Sequence, residues 1–365
     1  MNTRAHALTQ GSAAAPDSFD FREMLAQDFM APLWEVLRGL TPREPKQVVD
    51  PVIWRADTIR QHMTRACAEI SAEDAERRVL VLENPKLQGR SLATNSLYAG
   101  IQMILPGEIA PCHRHTASAL RLILEGGKGF TTVQGERVEM RRGDFIITPT
   151  NVFHDHGALG DAPVMWLDGL DVPIVQMLNA GFSADYPEQH QPEGRPLGDA
   201  QARYASGLIP VGQEPTGAAS PLFHYPYATT RPALNALART QEWNPEHGLK
   251  MAFSDPTTGR SPIRTMGAYL QLLPAGFRGV AHRETDAAVM CVVEGSARIR
   301  LGDQILTVHE NDVFVAPGWL WRHFEADQEC VLFSFSDRPL QEYLGFWRGE
   351  RAAARQPDIT QGVLA

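Results

Sequence analysis

An internal repeat constrains this 365-residue chain more than any other feature. Leu105-Pro106-Gly107, His113-Arg114-His115, Leu124-Glu125-Gly126, Arg142-Gly143-Asp144-Phe145 and Thr148-Pro149 follow one another in its first half. They return as Leu273-Pro274-Ala275-Gly276, His282-Arg283-Glu284, Val293-Glu294-Gly295, Asn311-Asp312-Val313-Phe314 and Ala316-Pro317. His282 stands 169 positions after His113 and Pro317 stands 168 after Pro149, so a single deletion separates two copies of one unit. Within each copy, short segments of alternating apolar residues are broken by Gly or Pro about every eight to twelve residues, the texture of a barrel or sandwich. The expected fold class is all-β, with two β-barrel units in tandem.

The flanks read differently. Ser18 can cap a helix with Phe21, Leu25 and Phe29 on one face. Pro32 suits the first turn of a helix over Leu33–Leu40, and Asp57 opens a pattern with Ile59, Met63, Ala66, Cys67 and Ile70 at helical spacing. The expected organisation is a mobile tail at 1–18, an N-terminal helical arm at 19–78 and the first barrel at 79–185. A Pro- and Gly-rich connector follows at 186–255, with a helix near Arg231–Thr240, then the second barrel at 256–345 and a C-terminal tail at 346–365.

Composition removes several function classes. With 43% hydrophobic and 21% charged residues the chain has the profile of a soluble globular protein. A formal net charge of −9 without a basic block argues against a nucleic-acid partner. No apolar run reaches the roughly 18 residues of a membrane helix, and Met1–Ser18 lacks the apolar stretch of a secretory signal. Cys67, Cys112, Cys291 and Cys330 form no CxxC pair, which points to free thiols in a reducing, cytoplasmic setting.

The first copy carries its chemistry in histidines. In a strand, alternate side chains share a face, so His113 and His115 project to one side, as do His154 and His156, while Cys112 faces away. Two such strands meeting inside a barrel gather three or four imidazoles, the donor set of a divalent transition metal. A hydrogen-bonded polar cluster in the core is the competing reading. On these residues the chain resembles the cupin superfamily. Gly107, His113, His115 and Gly126 fit its first motif, and Gly143, Pro149 and His154 fit its second, with Asn151 where that motif has Gly. The resemblance implies a bicupin, two β-barrel or jelly-roll cupin domains behind a helical arm, with metal held by His113, His115 and His154. Ala119 stands where the superfamily usually has a metal-binding Glu. Three neutral histidines leave the full +2 charge and open positions for a chelating hydroxy-acid and O2. Iron(II) is the natural metal, with manganese, nickel and copper also open, and the pattern argues against oxalate-degrading bicupins.

A closer resemblance runs from Ala31-Pro32-Leu33-Trp34 to Leu332-Phe333-Ser334-Phe335-Ser336-Asp337. It is to the gentisate 1,2-dioxygenase family, which includes salicylate and 1-hydroxy-2-naphthoate 1,2-dioxygenases. It is carried by Tyr98-Ala99-Gly100-Ile101-Gln102, by Arg121, by His154-Asp155-His156 and by Trp166-Leu167-Asp168-Gly169-Leu170-Asp171. Pro221-Leu222-Phe223, Tyr225-Pro226-Tyr227 and Gly248-Leu249-Lys250-Met251 add to it. It implies an Fe(II)-dependent, extradiol-type enzyme that opens the ring of a small aromatic hydroxy-acid between the carboxyl-bearing and ortho-hydroxyl carbons, turning gentisate into maleylpyruvate. Salicylate, substituted salicylates and 1-hydroxy-2-naphthoate are alternative substrates, a non-catalytic ligand-binding bicupin is the alternative class, and a homotetramer is the implied assembly.

The resemblance also suggests roles, each with a plainer competitor. His156 is a polar or acid/base group near the substrate, or a hydrogen bond to Asp155 or a carbonyl. Arg121 faces inward and seats a substrate carboxylate, or pairs with a barrel Glu. Arg77, matching better than Arg78, is a second pocket arginine, or a solvated helix end after Asp74 and Glu76. Tyr98, Gly100 and Gln102 line the ring pocket, or pack the barrel. Asp168 orients a ligand imidazole through its second nitrogen, or caps the turn at Gly169. In the second copy Arg322 takes the His154 position and His323 comes one residue late. That barrel is expected to be structural, with a site of His282, Glu284 and His323 as the alternative, and Trp319 and Trp321 suit packing.

Overall fold

The computed structural model describes residues 18–212, 219–240 and 242–352. The expected tails therefore lie largely outside the described residues. The chain divides into two units, Met1–Lys46 and Gln47–Ala365. The small unit carries helices Ser18–Gln27 and Leu33–Leu40, with Arg22 paired to Glu35 at 2.8 Å. Among the described residues no helix is long and apolar enough to cross a membrane.

The large unit holds two barrels of one design. In the first, strands Tyr98–Ile104, Val164–Leu170, Ala119–Glu125 and Phe145–Thr148 lie side by side in one sheet. Ile109–His115, His154–Ala158, Gly129–Val133 and Glu136–Met140 form the other. The chain changes sheet at every connection except the hairpin from Gly129–Val133 to Glu136–Met140, which is the jelly-roll order. The second barrel repeats it strand for strand: Gly267–Leu273, Cys330–Ser336, Ala288–Glu294 and Val313–Ala316 face His282–Glu284, Arg322–Ala326, Ser296–Leu301 and Gln304–His309. The repeat extends to backbone angles. Gly107 and Gly276 have φ of 80° and 77°, Gly143 and Asn311 84° and 64°, Asn151 and Trp319 59° and 57°. Asn151 replaces the motif glycine at a left-handed turn that asparagine tolerates.

Strand alternation sorts the side chains into three clusters. Ile123, Ile146 and Trp166 pack with Ile104, Ala110, Met140, Ala158 and Val164 inside the first barrel. Met290, Ile299, Phe314 and Phe324 belong to the corresponding cluster of the second. The other faces of the same strands, Leu120, Leu122 and Leu124 with Val289, Cys291, Phe333 and Phe335, meet in the largest cluster, which joins the barrels. Each barrel thus buries both faces of its long sheet.

Short edge strands depart from the sequence reading. Val52–Trp54, inside the segment read as a helical arm, pairs with Val313–Ala316 of the second barrel. The connector contributes His224–Tyr225 to the first barrel and Leu249–Ala252 to the second. Gly349–Arg351, read as tail, pairs with His282–Glu284. These pieces have two to four residues, too few for alternation to register, and they form because a sheet edge offers unpaired backbone groups. The connector helix spans Tyr227–Ala238 and opens directly after Pro226.

Candidate metal centre in the first barrel

Strand His154–Ala158 runs antiparallel to Ile109–His115. Ala110 stands opposite His156 and His113 opposite His154, so the first strand fits one more residue than its partner between these two pairs. In an unbroken ladder Cys112 would face His154. The β-bulge sends Cys112 outward and brings His113 into the barrel with His115.

The ring centroids of His113, His115 and His154 lie 4.2 to 5.3 Å apart. Each ring is fixed by its Nδ1, which donates to a backbone carbonyl: Pro111 at 2.9 Å, Ala117 at 2.7 Å and Val152 at 2.9 Å. A carbonyl only accepts, so each Nδ1 carries the proton and each Nε2 presents a bare lone pair. One ligand atom from each residue lies within 4.8 Å of the others, and the buried Nε2 of His154 has no hydrogen-bond partner. Burial, with Arg77 next, lowers His113 to about 3. Burial followed by Arg121 lowers His115, and takes His154 far below the ordinary value. All three are neutral and ready to ligate at pH 7. Three converging nitrogens with one orphaned lone pair fit a divalent first-row metal. The described group contains no carboxylate; Ala119 lies buried opposite Thr148 and Leu170.

Gly100, Asp168 and Arg121 stand in one row across three neighbouring strands. Arg121 and Asp168 are both buried, with Nε and Oδ1 3.1 Å apart. Neither of those two atoms makes an aligned hydrogen bond, so charge holds them together. The Arg121 Nη1 donates to Thr148 Oγ1 at 2.5 Å, and the Trp166 Nε1 donates to Asp168 Oδ2 at 2.9 Å. Burial raises the Asp168 carboxyl, against the pull of Arg121. The sequence reading set Asp168 on a ligand imidazole. Backbone carbonyls occupy those imidazole nitrogens instead. Asp168, whose other reading is a turn cap at Gly169, pairs with Arg121, for which an ion pair with a barrel Glu is the alternative to seating a substrate carboxylate.

The two candidate arginines separate clearly. Arg78 is buried and grips Glu108 with two hydrogen bonds, 2.9 and 2.8 Å, and donates to the Ile70 carbonyl. The Arg77 Nε is buried without a partner, and its charge acts on His113, His115, Arg121 and Asp168. Arg77 also lies 4.0 Å from Glu76 at the helix end. His156 is buried, 5.5 Å from the His154 ring and 5.4 Å from Trp166, and its Nδ1 has no partner. Asp155, its alternative partner, turns the other way and accepts from the Gln191 N–H at 3.2 Å. Gln102 is buried opposite Trp166. A Cβ on Gly100 would come within 2.7 Å of Val79 Cγ1 and 2.8 Å of the Tyr98 hydroxyl, so Tyr98 folds over a space only glycine leaves.

In the second barrel Arg322 stands opposite His282, as His154 stands opposite His113. His323 faces outward, 3.7 Å from Glu325, so His282, Glu284 and His323 are not brought together. The slip of one residue explains it. Trp319 and Trp321 stack against the Arg283 guanidinium at 4.3 and 5.0 Å. His247, from the connector, carries no signal in the sequence. It follows no HxH spacing and lies next to His282 only in the fold.

Residues 100–171 match the cupin domain family. The gentisate 1,2-dioxygenase 1 of Aquipseudomonas alcaligenes is 44% identical over 344 residues, 94% of this chain and 99% of that one. A 5-aminosalicylate 1,2-dioxygenase of Comamonas sp. is 32% identical over 354 residues, 94% of both. The crystal structure of salicylate 1,2-dioxygenase from Pseudoaminobacter salicylatoxidans with gentisate aligns with a TM-score of 0.87 at 29% identity, over 94% of this chain and 96% of that one. Similarity of this degree along nearly the whole length, on a shared two-barrel fold, means that the chain belongs to the gentisate 1,2-dioxygenase family of ring-cleaving dioxygenases.

Proposed function

We propose that the protein is an Fe(II)-dependent dioxygenase that opens gentisate between its carboxyl-bearing carbon and the ortho-hydroxyl carbon, adding both atoms of one O2 to give maleylpyruvate. The observation that carries this reading is the set of three neutral imidazoles, each turned by a backbone carbonyl, converging beside an inward guanidinium. Gentisate dioxygenases among the relatives and gentisate in the aligned crystal structure support the choice of substrate.

In this reading His113, His115 and His154 hold the metal. Iron(II) bound by them would supply Lewis-acid binding of the hydroxy-acid and the redox chemistry that joins ring and O2. The protein's own residues do the positioning. Arg121 seats the substrate carboxylate with its planar fork, held in place by Asp168 and Thr148, and Arg77 adds positive charge on the same side. His156, neutral and with a free Nδ1, accepts or returns the proton of a ring hydroxyl. Tyr98 and Gln102 bound the ring, and Gly100 leaves it room. Asp168 acts through Arg121 as a positioning residue. A cytoplasmic homotetramer completes the proposal, and light scattering should give about four times the 40.4 kDa chain mass.

The test is O2 uptake by anaerobically Fe(II)-loaded protein offered gentisate, salicylate and 1-hydroxy-2-naphthoate in parallel. One O2 per gentisate, with the other acids slow, supports the reading. Preference for a mono-hydroxylated acid keeps the chemistry and changes the substrate. No uptake despite bound iron leaves a ligand-binding bicupin.

A further inference from the structure

We infer that the second barrel holds a divalent transition-metal ion of its own, on His247, His282 and Glu284. One ligand atom from each lies within 4.8 Å of the other two. The donor set, two imidazoles and a carboxylate, suits first-row divalent ions, and it differs from the three nitrogens of the first barrel. The site does not depend on the dioxygenase reading.

His282 is prepared in the same way as the first-barrel histidines. Its Nδ1 lies 3.3 Å from the Val280 carbonyl two residues earlier, as His113 uses Pro111 and His154 uses Val152. Its Nε2 is then bare, and it is buried without any hydrogen-bond partner, on a side chain 1% exposed. A buried lone pair with nothing to accept from is rare and needs a reason. An ion supplies one.

His247 closes the site from a braced loop. Asn244 and Gly248 exchange two backbone hydrogen bonds of 2.8 Å, Gly248 turns at φ 68°, and Asn244 Oδ1 accepts from the His247 N–H at 3.0 Å. Gln271 donates to the His247 carbonyl at 2.8 Å. The His247 ring meets His282 nearly at right angles with centroids 4.4 Å apart, against 4.2 Å for His113 and His154.

Glu284 is buried and receives Arg338 Nη1 at 3.2 Å, with Arg322 Nη1 at 3.5 Å. These guanidiniums fix its plane. Each carboxylate oxygen retains a further lone pair for a metal. Asp286, which accepts from Trp347 Nε1 at 2.9 Å, adds a second negative charge against the two arginines. The position equivalent to Arg121 is Met290, buried in the apolar cluster. The site therefore lacks a guanidinium to seat a carboxylate from that strand, and its ion ties the 244–248 loop to the barrel wall.

The test is anaerobic titration of metal-free, full-length protein with Co(II), read by equilibrium dialysis and visible absorption. The expected result is two ions per chain in the wild type and one in each of His115→Ala and His282→Ala. A wild type that binds a single ion, lost in His115→Ala and kept in His282→Ala, would overturn the inference. Should His282→Ala fail to fold, wild-type crystals soaked in Co(II) decide instead. An anomalous peak between His247, His282 and Glu284 is expected. A peak at the first-barrel histidines alone would count against the site.

Discussion

His113 and His154 stand directly opposite each other on adjacent strands, with ring centroids 4.2 Å apart, because a bulge inserts one residue after Ala110. The site thus depends on backbone register before it depends on side-chain identity. Inserting one Gly between Cys112 and His113 should place the new residue opposite His154 and, by a slip of one position, turn His113 out of the barrel. We expect far-ultraviolet circular dichroism close to wild type and at least about a tenfold fall in iron affinity, of the order seen when metal-ligand support is lost. Iron content after dialysis checks it. Unchanged iron loading would show that strand register does not set the ligand geometry.

Arg121 is buried, with its Nε against Asp168 and its Nη1 on Thr148. Lysine keeps the charge but not the planar fork. In steady-state kinetics Arg121→Lys should raise the KM for gentisate by roughly 10- to 100-fold, the value of a charge-assisted pair, with a smaller change in kcat. An unchanged KM would remove Arg121 from carboxylate binding.

Gly100→Ala should crowd Val79 and Tyr98, since the new Cβ would meet them at 2.7 and 2.8 Å. The Tyr98 ring is then pushed toward the cavity. A fall in kcat/KM for gentisate of about tenfold is expected, about 1.4 kcal/mol, with partial recovery in Gly100→Ala/Val79→Ala. Loss of activity without any recovery in the double variant would mean that Val79 is not the opposing wall.

Much of this was legible in the sequence. The offsets of 169 and 168 announced two barrels, and the paired HxH segments announced which one gathers imidazoles. Parity also separated Arg322 from His323, because a slip of one residue reverses a strand's faces. Cross-strand neighbours were not legible. Asp168 reads as a turn or an imidazole partner until Arg121 is seen opposite it in the ladder. His247 lies in the connector, where no spacing ties it to His282. Strands such as Val52–Trp54 and Gly349–Arg351 owe their form to the edges they join rather than to their own patterns.

The buried histidines give metal-free protein a predictable response to acid. Burial lowers His113 and His282 to about 3, against an ordinary 6.5. Between those values the unfolded chain binds more protons than the folded one, so stability falls as pH drops through the window. Each such histidine contributes a slope of about 1.4 kcal/mol per pH unit there. Urea unfolding of metal-free protein at pH 7 and pH 5 should show the loss, and His282→Gln should flatten the slope by about one proton. A slope identical in the variant would contradict the burial of a neutral imidazole at that position.

The central claim is that the first barrel's histidines carry ring-opening insertion of O2. Its most direct measurement is single-turnover reaction of Fe(II)-loaded protein with gentisate under 18O2, with the product read by mass spectrometry. The account predicts a ring-opened acid containing two 18O atoms, and no such product from His115→Ala. A product with one 18O or none, or the same product from His115→Ala, would contradict it.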